Sequence, residues 1–192
     1  MMNECICRSA SHCEDYPIEI GCLFIGEAAN GINPRLGRPV TREEAHAHIN
    51  RAQKAGLVHL VGRNKLDTLW LGVGPGHKLL TVCNCCPCCC LWRMLPDLHS
   101  RIGQSVMRMP GLSLSVSDKC TGCGRCVDAC FASAIVITDG HAVITDQCRG
   151  CGRCVEVCPH GAISLRIDVG AAVQRTLQTI TEAVDVSSSK IG

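Results

Sequence analysis

Eight cysteines toward the C-terminal side of this chain stand in two runs of identical spacing. Cys120, Cys123, Cys126 and Cys130 make one C-x2-C-x2-C-x3-C run, and Cys148, Cys151, Cys154 and Cys158 make the other. The likeness extends past the cysteines. DKCTGCGRCVDACFASAIVI at 118–137 aligns with DQCRGCGRCVEVCPHGAISL at 146–165, at a constant offset of 28 residues. Thiolates so spaced are ligands for iron–sulfur cubanes, so the doubled run predicts two [4Fe–4S] clusters and one-electron chemistry. Cysteines three positions apart on a tight turn can reach three corners of one cube. Gly122, Gly124, Gly150 and Gly152 permit that turn and let backbone N–H groups approach the cluster.

The stretch 113–168 resembles the bacterial two-[4Fe–4S] ferredoxin family. In that family the fourth cysteine of each run ligates the other cluster. The resemblance therefore implies Cys120, Cys123, Cys126 and Cys158 for one cluster. It implies Cys148, Cys151, Cys154 and Cys130 for the second. Pro159 follows Cys158 as the family pattern wants, but Phe131 follows Cys130, so the second cluster is expected in different surroundings. Arg125 and Arg153, at equivalent places, either offset cluster charge and help dock acidic partners or are simply solvated.

Ten more cysteines precede the repeats. Cys5, Cys7, Cys13 and Cys22 form one set; Cys83, Cys85, Cys86, Cys88, Cys89 and Cys90, within CNCCPCCC, form another. Cys85 and Cys88 have ligand spacing, as do Cys86 and Cys89. Neighbouring cysteines point different ways, so the six need not serve one metal. Pro87 favours a turn that folds both pairs toward a site. The candidate ligands are Cys5, Cys7, Cys13, Cys22, Cys85, Cys86, Cys88 and Cys89. A further iron–sulfur cluster is the first choice, since the adjoining module already needs that assembly machinery. A four-thiolate zinc that staples a small domain is the alternative, followed by reactive thiols or a disulfide couple. His12, His46 and His48 read as solvated or capping histidines, and His59 as a partly buried one.

The N-terminal half also resembles a type of bacterial and archaeal ferredoxin-like iron–sulfur protein. The matching residues are Cys5, Cys7, His12, Cys13, Pro17, Cys22, the run Ala55-Gly56-Leu57-Val58-His59, and CNCCPCCC. That resemblance implies an anaerobic redox accessory subunit.

The elements that must position these thiols are small. Eighteen cysteines but only five aromatic residues make a core thin in large side chains, so bound metal is expected to supply much of the folding energy. Thr41 and Glu44 form a capping-box pair for a helix to about Ala55, ended by Gly56. LVHLV (57–61) and TLWLGV (68–73) read as a hairpin. Leu91 to Ile102 reads as a helix broken at Pro96. Strands are expected at 113–117, 134–138, 141–145 and 162–167, with Asp139-Gly140 turning the middle pair. An amphipathic helix follows over 170–184, with Val173, Leu177, Ile180 and Val184 as its stripe. SSSKIG is expected to be a frayed end.

The fold class is thus α+β: a ferredoxin-like two-cluster module built as a pseudo-two-fold repeat of short hairpins and helices, plus a small Cys-rich domain. The divisions are 1–110, 111–168 and 169–192. The formal net charge of +2 gives no support for a nucleic-acid or membrane-surface role. No apolar run approaches the ~20 residues of a membrane span. No leader pattern opens the chain, so a cytoplasmic setting is expected.

These features point to an electron carrier, or an electron-transfer subunit of an anaerobic redox complex, with no catalytic residue of its own. The chain has no Gly-rich dinucleotide fingerprint, so a flavoprotein or another oxidoreductase subunit is the expected donor or acceptor. Two other classes compete. One is a thiol/disulfide-type oxidoreductase working at Cys83–Cys90. The other is a redox-sensing, winged-helix-like regulator whose wing is the 57–73 hairpin.

Overall fold

The computed structural model describes residues 1–187. By packing it divides into two units: Met1–Cys90 with the segment from Gln178 onward, and Leu91–Leu177. The expected border at 110/111 lies inside the second. The fold is α+β.

The first unit opens with α1 (Ile6–Ala10), which ends in a Schellman turn. The Cys13 N–H donates to the Arg8 carbonyl oxygen at 3.0 Å, and the His12 N–H to that of Ser9 at 3.2 Å. His12 occupies the left-handed position, φ 49°, that glycine usually fills. After β1 (Leu23–Ile25), α2 (Arg42–Lys54) carries the expected capping box. The Glu44 N–H donates to Thr41 Oγ1 at 3.2 Å, and the Thr41 N–H donates to Glu44 Oε2 at 2.8 Å. β2 (Val58–Gly62) follows.

The predicted hairpin does not form. Residues 68–73 lie mostly in α3 (Lys65–Leu71), where Asn64 caps by accepting from the Leu66 N–H. Asp67 faces inward and accepts hydrogen bonds from Thr81 Oγ1 (2.6 Å), Asn64 Nδ2 (2.9 Å) and Trp70 Nε1 (3.1 Å). The bonds from Asn64 and Trp70 need the i to i+3 reach of a helical turn. Gly72, at φ 67°, ends it. The partner of β2 is instead β3 (Leu80–Cys85), in a three-stranded antiparallel sheet of order β1-β3-β2. The winged-helix reading loses its wing with this hairpin.

The register decides which thiols meet. Leu23 pairs with Val82, which sets Cys22 beside Cys83; Val58 pairs with Cys85 and His59 with Asn84. Alternation along β3 puts Cys83 and Cys85 on one face and Asn84 on the other. Asn84 is buried in a polar knot. Its carbonyl oxygen accepts from Arg8 Nη1 at 3.0 Å, its Nδ2 donates to the Gly21 carbonyl oxygen at 2.6 Å, and its Oδ1 accepts from His59 Nδ1 at 2.8 Å. Arg8 also donates to the Ile20 carbonyl oxygen. His48 is not solvated as expected: it is buried and donates from Nε2 to Gly21 at 2.9 Å. His59 is more exposed than expected, and His12 and His46 are exposed as anticipated. A separate apolar cluster packs Phe24, Ala28, Ala29, Ile32, Leu71 and Leu79, with Trp70 edge-on to Phe24 at 6.0 Å.

In the second unit a 3-10 segment (Leu91–Asp97) and α4 (Ser100–Gly103) stand where one broken helix was expected, with Pro96 inside the 3-10 segment. The repeats then unfold as β4 (Leu112–Val116), α5 (Arg125–Asp128), β5 (Ile135–Thr138), β6 (His141–Ile144), α6 (Arg153–Glu156) and β7 (Ile163–Ile167). β4 pairs with β7, and β5 with β6, both antiparallel. The first strand of one copy thus pairs with the last strand of the other, which closes the pseudo-two-fold. Asp139 and Gly140, at φ 50° and 73°, turn the β5–β6 hairpin as predicted. In α7 (Val169–Ala183) the expected stripe is split: Val173 and Leu177 are exposed, and Val184, just past the helix, is buried. The tail beyond Ser187 lies outside the described residues. Among those residues no helix is long and apolar enough to cross a membrane.

Candidate metal centres

Each repeat presents its first three cysteines on a loop that ends in a one-turn helix. Gly124 and Gly152, both at φ 82°, start α5 and α6. Cys126 and Cys154, the second residues of those helices, point into the core among Ile135, Ala142 and Ile163. The loops close tightly on the glycines. A Cβ at Gly122 would sit 2.5 Å from the Gly140 carbonyl oxygen. One at Gly150 would sit 2.8 Å from Arg108 Cγ and from Leu112 Cδ2. Such contacts exclude any side chain unless the neighbour moves.

The eight cysteines surround two hollows. Cys120, Cys123, Cys126 and Cys158 line one; Cys130, Cys148, Cys151 and Cys154 line the other. Each hollow draws three thiols from one copy and the fourth from the other. Backbone N–H groups point at the sulfurs. The Ala134 N–H donates to Cys130 Sγ and the Ala162 N–H to Cys158 Sγ, both at 3.3 Å and at matching repeat positions. Ala142 donates to Cys120 Sγ at 3.3 Å and Gly150 to Cys148 Sγ at 3.4 Å.

Charge favours a cation at the second quartet. The Cys154 thiol is pushed up to about 12 by burial and by Cys151, Cys148 and Cys130. Burial also raises Cys151, against the backbone N–H and guanidinium of Arg153, which lower it. Cys158 moves the other way: the N–H of Ala162 and those of His160, Ile163 and Gly161 hold its thiol below the ordinary value. Four thiolates around one small hollow repel one another unless iron neutralises them. Donor type, number, glycine cradle and N–H···S bonds all fit a four-cysteine iron–sulfur cluster in each hollow.

Residues 114–165 match the 4Fe-4S dicluster domain family. The matched segment of the dicluster domain spans both hollows and all eight cysteines, and it is under a third of the chain. No curated protein matches the chain.

Outside the dicluster domain the ten thiols sort into groups that spacing did not foresee. Cys13, Cys86, Cys88 and Cys89 place their sulfurs within 4.8 Å of one another. Cys88 Sγ lies 3.5 Å from both Cys13 Sγ and Cys89 Sγ. Contacts between thiols also link Cys22 to Cys83, Cys83 to Cys85 and Cys85 to Cys90, and Cys5 pairs with Cys7. Cys86 and Cys89 thus meet, whereas Cys85 and Cys88 belong to different groups. Burial raises Cys13, but hydrogen bonds from Cys89, from the Tyr16 and Asp15 N–H groups and from Cys88 outweigh it and bring the thiol below its ordinary value. Cys88 is raised, first by burial and then by its thiol neighbours Cys89, Cys13 and Cys86.

Proposed function

We propose that this protein carries single electrons between redox partners through two [4Fe–4S] clusters. Cys120, Cys123, Cys126 and Cys158 would hold the first; Cys148, Cys151, Cys154 and Cys130 the second. The supporting observation is the sharing of cysteines between copies, three from one and one from the other, at each of two hollows. A cluster bound there takes up and returns one electron with no bond broken.

The chain's own residues do the rest. Backbone N–H groups of Ala134, Ala142, Gly150 and Ala162 donate to thiolate sulfurs and stabilise negative charge at the sites. Ile135, Ala142 and Ile163 pack around Cys126 and Cys154 and keep water from the inner side of each quartet. Cys123 is the exposed member of the eight, so the hollow it lines is the edge a partner can approach. The partners that suit such a carrier are a flavoprotein or another oxidoreductase subunit, in the cytoplasm of an anaerobically living cell.

Iron and acid-labile sulfide on anaerobically purified protein test this reading. About eight of each are expected in the dicluster domain, four per cluster. Cys123→Ser and Cys151→Ser should each lose one cluster and its EPR signal after dithionite reduction. Retention of full iron by both variants would overturn the ligand assignment.

A further inference from the structure

The four sulfurs of Cys13, Cys86, Cys88 and Cys89 are too close together for a cubane. In a cubane each thiolate binds its own iron, so neighbouring sulfurs are separated by a metal–metal edge plus two outward bonds. Four thiolates sharing one ion at a metal–sulfur length of about 2.3 Å lie only about 3.8 Å apart at tetrahedral angles. Here two of the separations are 3.5 Å, and all lie within 4.8 Å. The same chain supplies the contrast. Among the described residues, Cys13, Cys86, Cys88 and Cys89 form the one group of three or more potential ligands drawn this tight. Neither cysteine quartet of the dicluster domain is drawn into such a group.

We infer that Cys13, Cys86, Cys88 and Cys89 bind a single tetrahedral divalent ion, zinc or ferrous iron, as a mononuclear four-thiolate site. This replaces a further iron–sulfur cluster at these four residues. It does not depend on the electron-carrier reading.

The surroundings are built for such an ion. Cys13 is aimed by the Schellman turn after α1, at the cost of a left-handed His12. A non-glycine residue there is strained, which the fold tolerates where a side chain must be held in place. The other three thiols come from one turn after β3. Pro87 suits the second position of that turn, and the Cys89 N–H donates to Cys86 Sγ at 3.3 Å. Tyr16, Ile20, Ala52 and Leu57 wall the site with apolar surface, and Cys86 is buried among them. The ion would tie the α1 turn to the β3 turn, two segments more than seventy residues apart in sequence.

The test uses the full-length protein. Zinc, iron and sulfide are counted per chain for the wild type, Cys13→Ser, Cys89→Ser and, as a control, Cys22→Ser. The wild type should hold one ion beyond its sulfide-matched iron. Cys13→Ser and Cys89→Ser should lose that ion and keep all sulfide, while Cys22→Ser keeps the ion. If the ion is zinc, X-ray absorption at the zinc edge of the wild type should show four sulfurs near 2.3 Å and no second metal nearby; if it is iron, Mössbauer spectra should show a high-spin ferrous four-thiolate component apart from the clusters. This readout stands even if a variant folds poorly. Zinc and sulfide-free iron both support the site and tell its two sources apart. The inference is overturned if no such ion is present, if a second metal scatters beside zinc, or if Cys13→Ser loses iron and sulfide together. Failure of the two-cluster reading would show separately, in Cys123→Ser and Cys151→Ser.

Discussion

Arg125 and Arg153 hold the same place in two copies of one repeat, yet Arg125 is exposed and Arg153 is 7 % exposed. Arg153 lines the hollow of Cys130, Cys148, Cys151 and Cys154, and its guanidinium lowers the Cys151 thiol. A buried charge is screened far less than one in water. Positive charge favours the reduced, more negative state of a cluster. Arg153→Gln should therefore lower the potential of the second cluster by on the order of 100 mV, the equivalent of about 2 kcal/mol, the scale for a charge several ångströms away at an effective dielectric near 20. Arg125→Gln should move the first cluster much less. EPR-monitored redox titration of both variants checks this, and equal shifts would refute the asymmetry.

The two cradle glycines should differ in what they tolerate. Both have positive φ, so alanine is strained at either, by about 1 kcal/mol. At Gly122 the new Cβ also meets backbone, the Gly140 carbonyl oxygen. At Gly150 it meets the side chains of Arg108 and Leu112, which can move. Gly122→Ala should lose cluster iron and melt well below wild type. Gly150→Ala should keep its iron with a smaller fall, in parallel iron assays and thermal melts.

His48 gives the first unit a pH dependence. Burial holds its imidazolium pKa below the ordinary value, helped by Arg51, Arg38 and Arg8. The unfolded chain then takes up the proton at higher pH than the folded one. The contribution of His48 is complete above about 6.5 and is lost as pH falls through the lower folded value. Melting temperature should hold from pH 8 to about pH 7 and drop as pH falls below about 6.5 toward pH 5. His48→Gln, which can still donate to Gly21, should flatten part of that drop. An unchanged slope in the variant would remove His48 as the cause.

Arg8 carries the polar knot behind β3. Its guanidinium donates to the carbonyl oxygens of Asn84 and Ile20, deep in the unit. Arg8→Met keeps the bulk and strands both acceptors, which should cost about 3 kcal/mol. Chemical denaturation of the full chain reads this directly, and a loss below 1 kcal/mol would mean water replaces the guanidinium.

Local chemistry was legible wherever a few neighbouring residues settle it. The Thr41–Glu44 capping box, the Asp139-Gly140 turn and the helix end at Gly56 need only contacts within a few positions. The segment around Trp70 was not legible as a helix. An apolar run of six fits either period, and the deciding bonds come from Asp67 and, across the sheet, from Thr81. The inward place of His48 is illegible for the same reason: its hydrogen-bond partner is the Gly21 carbonyl oxygen, 27 residues away in sequence.

The sequence alone determined the repeat, its eight cysteines and the glycines between them, because cluster spacing is written in i to i+3 steps. Tertiary structure alone decided how the other ten thiols divide. Spacing made Cys85–Cys88 and Cys86–Cys89 equal candidates. Strand alternation turned Cys85 toward Cys83, and the turn at Pro87 brought Cys88 to Cys13, 75 residues away. It also buried one of two equivalent arginines. A sulfur or a guanidinium takes its role from what lies within a few ångströms, and for these residues those neighbours come from distant parts of the chain.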